Sequence, residues 1–279
     1  MSVLAKAVAR KILKEYFITE PQKLNLEDIL AGEMIYLEES KLNEESGRIV
    51  FNRNCGIMRI NKNIKEPAQK RTVIAHELGH FKLHNNKNRG CTKLEMLTHN
   101  KNLKNENEAN IFAAELLMPE EWIREYIKGK KAGKDFLSDF CNYFKVSMSS
   151  AALRIATLDI FPIAVVLSKN GIVQWSCISD SFPFKWIPKG YKVNNNSYAY
   201  DLFNIFNERK KQLRAEDSFI SDNRIFTNDF NYEVNSVNEV LADAWFWEDW
   251  NYKKDFFMYE FNIPMPNYDS VLTVLTLKR

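Results

Sequence analysis

The sequence has no apolar run close to the roughly 20 residues that a bilayer crossing needs. Its longest strongly apolar stretch, Phe161 to Leu167, is far shorter, so no membrane span is expected. Cysteine is scarce. Cys55, Cys91, Cys141 and Cys177 are scattered with no C-x-x-C pair, which excludes a cysteine zinc site and a disulfide framework and points to a reducing cytoplasm. An excess of one charge is also missing. The formal net charge is +3, and a nucleic-acid surface would need its Lys and Arg gathered on one face. At the amino terminus, Lys6, Arg10, Lys11 and Lys14 interrupt the apolar residues and leave no core for an export signal. The expected location is cytoplasmic.

What is present suffices for folding. Apolar residues make up 45% of 279, with 19 Phe, 11 Tyr and 6 Trp, so more than one core can be filled and wholesale disorder is excluded. Leu4, Val8, Ile12 and Tyr16 recur every four residues and predict a helix that docks along that face. Around Gly47 to Asn61, β-prone residues flank Asn54-Cys55-Gly56 and predict a hairpin. The basic, glycine-containing stretch Lys128 to Lys134 predicts a boundary. Two helical patterns follow within 135–159, with Val146-Ser147 at the turn and Ser147 as a cap for the second helix. From Ile160 onward β-branched and aromatic residues dominate. Asn170-Gly171 between two such runs predicts a hairpin, since both turn residues need positive φ. Ser270 to Leu277 reads as a strand buried on both faces. The predicted regions are therefore 1–128, 135–159 and 160–279, the last an α+β unit on an antiparallel sheet.

The chemistry sits in Arg71 to Phe81, where His76-Glu77-Leu78-Gly79-His80 is an H-E-x-x-H motif inside a helical pattern. Residues four apart share a helix face about 6 Å apart along the axis, so both imidazoles can reach one ion with Glu77 beside the open position. A catalytic zinc usually takes a third protein ligand. His84 would lie about 12 Å along the axis from His76, too far to share an ion, and is read as an orienting residue or an oxyanion donor. His99 has no supporting pattern and reads as a loop histidine. A better ligand is Glu106, which shares a face with Ala109, Asn110 and Ala113, small enough to let the metal helix approach, while Asn110 can hydrogen-bond a ligand histidine. Glu108 lies on another face and reads as a solvated surface carboxylate, the fallback ligand. Glu115 is too far along the helix.

Thr72-Val73-Ile74-Ala75-His76-Glu77-Leu78-Gly79-His80, closed by Leu83-His84, together with Glu106-Asn107-Glu108-Ala109-Asn110-Ile111-Phe112-Ala113-Ala114-Glu115-Leu116-Leu117-Met118-Pro119, resembles the ImmA/IrrE family of bacterial metallo-endopeptidases. The resemblance implies an α+β chain: a mostly helical, zincin-like protease core with a small β-sheet, then a helix-turn-helix-like segment and a GAF- or PAS-like carboxyl-terminal domain with a sensing or recognition role. It also implies zinc held by His76, His80 and Glu106, with Glu77 as base, and a helix-turn-helix transcriptional repressor as substrate in a stress response or in mobile-element regulation.

In the expected mechanism zinc polarises the scissile carbonyl and a water, while Glu77 moves the proton from water to the leaving amine. His84, Tyr126 or a backbone N–H are the candidates for oxyanion stabilisation. The strand at Ile57 to Ile60 is the expected platform for an extended substrate. Two histidines and a carboxylate also suit Mn2+ or Fe2+. Within 135–159 the basic residues are only Lys145 and Arg154, so direct DNA binding is not expected. Trp245, Phe246, Trp247 and Trp250 read as core, with a small-molecule or stress-signal pocket as the sharper alternative. The competing reading of the whole chain is a vestigial protease acting as a regulator, a DNA-binding protein or a toxin–antitoxin partner.

Overall fold

The structure, a computed structural model, describes residues 2–43, 45–51, 55–84, 103–130, 136–216, 237–246, 256–265 and 269–278. The chain is an α+β protein that divides into two compact units, residues 1–131 with 135–151 and residues 132–134 with 152–279. Among the described residues no helix is long and apolar enough to cross a membrane.

The first unit opens with α1 (Val3–Glu15), whose N-cap Ser2 accepts a bond from the Ala5 N–H. Its buried face is Ala5, Ala9, Ile12 and Leu13, whereas Leu4 is 63% exposed. The expected stripe Leu4, Val8, Ile12 and Tyr16 is therefore off by about one position. The small side chains of Ala5 and Ala9 allow a close approach to α4 (Leu103–Leu117), which outweighs the larger but outward-pointing Leu4. An ion pair from Arg10 to the buried Glu115, at 2.6 Å, ties the same two helices.

A 3-10 turn at Pro21–Lys23 leads to α2 (Leu26–Gly32), then β1 (Ile35–Ser40), β2 (Gly47–Phe51) and β3 (Gly56–Asn61). The sheet order is β1-β3-β2, with β3 parallel to β1 and antiparallel to β2. The expected hairpin is present, but β3 is central. Its two edges are occupied, so Ile57 to Ile60 cannot add an extended substrate; β2 holds an outer edge instead. Asn61 pins the β1–β2 connection by donating to the Leu42 and Glu45 carbonyls at 2.8 and 2.9 Å.

Pro67 opens α3 (Pro67–His84), a position where a missing N–H costs nothing. α3 packs against α4 and against β2 and β3. At Gly79 a Cβ would stand 3.0 Å from Phe112 Cδ1 and 3.1 Å from Ala109 Cα, so α3 and α4 meet nearly backbone to backbone. α5 (Glu120–Tyr126) follows, then α6 (Phe136–Phe144) and α7 (Met148–Thr157). Ser147 Oγ accepts the Ser150 N–H at 3.2 Å, the predicted cap of α7.

The second unit is built on a five-stranded antiparallel sheet of order β5-β4-β8-β7-β6. Its strands are β4 (Ile163–Lys169), β5 (Ile172–Ile178), β6 (Val237–Leu241), β7 (Phe257–Met265) and β8 (Ser270–Leu277), with helices α8 (Tyr198–Glu216) and α9 (Asp243–Phe246). Asn170 and Gly171 have φ of 51° and 73°, as the predicted turn requires. β8 is central and buried from Ser270 to Leu275. Trp245 and Phe246 join Phe182, Phe184 and Phe206 in the core; Trp247 and Trp250 lie outside the described residues. The cavity beside Trp245 is about 10 Å³, room for one water molecule.

A carboxylate sits inside this core. Glu260 is fully buried and accepts from the Ala199 N–H and Asn262 Nδ2 at 2.7 Å and from Trp245 Nε1 at 3.0 Å. It thereby caps the amino end of α8 from the sheet. Burial pushes its carboxyl above the usual range against the pull of these donors. Because every one of these partners donates, Glu260→Gln must turn an N–H2 group towards a donor. Urea denaturation of the full chain is expected to show a loss of about 1–3 kcal/mol.

Candidate metal centre

The H-E-x-x-H residues lie on the last two turns of α3. His76 and His80 direct Nε2 atoms to within 3.0 Å of one another, with the rings edge to face. From α4, Glu106 completes the group, its Oε2 3.4 Å from His76 Nε2 and its Oε1 3.5 Å from His80 Nε2. Among the described residues these three form the one group of metal-binding type, with ligand atoms all within 4.8 Å. Donors at corners of a tetrahedron, each 2.0–2.1 Å from an ion, stand about 3.3 Å apart. The spacing fits a divalent ion, and the donor set of two imidazoles and a carboxylate suits zinc, manganese or iron.

Each imidazole also has a partner for its other nitrogen. Asn110 Oδ1 lies 2.9 Å from His76 Nδ1, and His84 Nδ1 lies 3.1 Å from His80 Nδ1. His84 Nε2 in turn lies 3.3 Å from Glu108 Oε2. Glu108 is thus a half-buried partner of a histidine, not the solvated surface carboxylate expected from its helix face; α3 crosses α4 so that both Glu106 and Glu108 look towards it. Burial, with help from the neighbouring His76 charge, lowers His80 to about 4, which keeps it in the neutral form that metals bind.

Glu77 points to the other side, towards β2. It is buried, and its carboxyl is pushed up to about 7, first by burial and then by Glu106, against a hydrogen bond from the Ile49 N–H. The carboxylate therefore takes up an N–H of the outer β2 edge. Gly47 makes this closeness possible: a Cβ there would stand 2.5 Å from Val73 Cγ1 and 3.2 Å from Glu77 Cγ. Sequence reasoning did not single out Gly47, although a glycine opening a β-prone run is a recognised sign of close backbone approach.

Other expected contributors lie elsewhere. Tyr126 packs in a ring cluster with Phe136, Phe140, Tyr143 and Phe144, and Lys130 Nζ stands 3.3 Å from its ring centroid. His99 lies outside the described residues.

Residues 32–156 match the Peptidase_M78 family, described as the IrrE N-terminal-like domain. That segment, a little under half of the chain, holds α3, α4 and every residue of the cluster, and through it the chain is similar to a family of metallopeptidases. A solved structure of a Mycobacterium tuberculosis transcriptional regulator is similar over 73% of this chain and 62% of its own length, with 14% identity and a TM-score of 0.49. This chain thus spans less than two thirds of that protein. No curated protein matches the sequence.

Because a methyl at Gly47 must displace Val73 or Glu77, Gly47→Ala is expected to leave metal content intact. Turnover should fall by at least about tenfold, in keeping with the cost of small displacements of a reacting group. Metal analysis beside a cleavage assay separates the two effects.

Proposed function

We propose that the chain is a zinc-dependent endopeptidase in which His76, His80 and Glu106 hold the ion and Glu77 is the general base. The observation that carries this reading is the convergence of three ligand atoms from α3 and α4 beside a buried carboxyl that keeps a raised affinity for protons. When bound, the ion would supply Lewis acidity towards a peptide carbonyl and lower the pKa of a water towards neutrality. The remaining work falls to the protein. Glu77 accepts the proton that the attacking water loses and delivers it to the departing amine nitrogen as the C–N bond breaks. No covalent bond between protein and substrate is needed. The Ile49 N–H holds the Glu77 carboxylate in place, and Asn110 holds the His76 ring. All four groups are present and assembled, which supports an active enzyme over a vestigial one.

For the substrate, the family resemblance supports a helix-turn-helix transcriptional repressor, cut at one site in a stress response or in the control of a mobile element. The exposed positions of α6 and its turn include Ser138, Asp139, Asn142 and Lys145, a surface without the positive charge that DNA phosphates require. The α6–α7 pair is better suited to engaging a protein. The second unit would serve recognition or sensing, in a cytoplasmic protein.

Two measurements test this. Metal analysis of the purified chain should find one zinc per chain, and none in His76→Ala or Glu106→Ala. Incubation with the repressor encoded beside the gene should give one cut. Glu77→Gln should keep the zinc and slow cleavage by roughly 100-fold or more. Unchanged cleavage by Glu77→Gln would exclude the mechanism, and zinc retained by Glu106→Ala would exclude the ligand set.

A further inference from the structure

We infer that Glu108, acting through His84, positions His80 by fixing the tautomer in which its Nε2 lone pair faces the metal. This rests on the reading of His76, His80 and Glu106 as ligands.

The two nitrogens that meet between His80 and His84 are both Nδ1, 3.1 Å apart. Two neutral imidazoles can share such a contact only if one donates and the other accepts. His84 Nε2 lies 3.3 Å from Glu108 Oε2, and a carboxylate only accepts. His84 must therefore carry its proton on Nε2, which leaves its Nδ1 bare. A bare Nδ1 accepts, so His80 must donate from its own Nδ1. Its Nε2 is then free of a proton, and that atom is the one aimed at His76 Nε2 and Glu106. The direction of every bond is set by the far end of the chain.

Glu108 is suited to that task. Its side chain is 20% exposed and that of His84 15%, so neither exchanges partners freely with water. A second contact, from Ser2 Oγ to Glu108 Oε1 at 3.5 Å, steadies the carboxylate. Without an acceptor at Glu108, His84 can carry its proton on Nδ1 instead. It would then donate to His80, and His80 would turn an Nε2–H towards the metal position. Both ring nitrogens of His84 are committed in this arrangement, which removes it as a donor to an oxyanion.

The test is Zn2+ affinity of the full chain, measured by competition with a chelating dye, together with 15N chemical shifts of the histidine ring nitrogens in the metal-free protein. Glu108→Ala and His84→Ala should each weaken Zn2+ binding by about 10–100-fold. The double variant should be no more than about twofold weaker than either single one, since both break the same chain. Glu108→Gln still offers an oxygen to His84 Nε2–H and should stay within about threefold of wild type. The ring shifts should show His80 protonated on Nδ1 in wild type and Glu108→Gln, and a mixture of tautomers in Glu108→Ala. Glu108→Ala binding as tightly as wild type, Glu108→Gln binding as weakly as Glu108→Ala, or a wild-type His80 protonated on Nε2 would each overturn the inference. Failure of the ligand reading is distinguished by His76→Ala retaining zinc or wild type taking none; in the latter case the ring shifts still decide the tautomer.

Discussion

The close approach of α3 to α4 at Gly79 and Ala109 is the constraint on which the centre depends. A Cβ at position 79 would stand only 3.1 Å from the Ala109 Cα, so it is the glycine that lets the two backbones come this near. That separation brings Glu106, whose side chain is short compared with the width of a helix, to 3.4–3.5 Å from both Nε2 atoms. The same separation lets Asn110 reach His76 and Glu108 reach His84. Ordinary helix packing, with axes about 8–10 Å apart and large side chains between them, would leave the carboxylate short of the imidazoles. The tenfold or larger losses that follow small displacements in active sites make such spacing a functional quantity as much as a packing one.

Much of this could be read in advance because it is local. His76 and His80 are one turn apart, and helix geometry alone puts them on one face. The small residues Ala109 and Ala113 beside Glu106 marked the face that could be approached closely. Asn170-Gly171 gave its hairpin for the same reason: two adjacent residues specify the turn. What stayed hidden depends on partners distant in sequence. Glu108 reads as a surface residue until α3 is laid across α4 and His84 arrives beside it. The buried stripe of α1 is hidden in the same way, because apolar size favours Leu4 while packing on α4 selects the small Ala5 and Ala9. β3 reads the same as an edge or a central strand; β1 decides it by pairing in parallel from the other side.

Among the described residues three glutamates are buried, Glu77, Glu115 and Glu260, and their surroundings differ in kind. Glu115 is matched by the Arg10 guanidinium, and Glu260 is surrounded by donors from a helix end, an indole and an amide. Both are satisfied, as buried charge must be. Glu77 is not matched in this way. Its carboxyl takes one N–H from Ile49 and faces the like charge of Glu106, so burial and repulsion together raise it to about 7. A fold gains nothing in stability from such an arrangement, since each unit of raised pKa costs about 1.4 kcal/mol in the ionised state. A group that titrates near neutrality is what the proposed proton transfer requires.

The placement of Glu77 also links the sheet to the chemistry. Its bond to the Ile49 N–H occupies a backbone donor on the outer edge of β2, the side away from β3. An edge strand with open donors and acceptors is a template for an extended chain, and here the edge and the Glu77 carboxyl are in contact. A peptide laid along β2 would therefore run beside the proposed base, and Gly47 gives the Glu77 side chain room to approach that strand. Among the described residues the sheet has three strands, and its order β1-β3-β2 puts the outer edge of β2 where α3 presents Glu77. The outer strand, the glycine at its start and the helix that carries the motif thus form one constraint, spread over thirty residues of sequence.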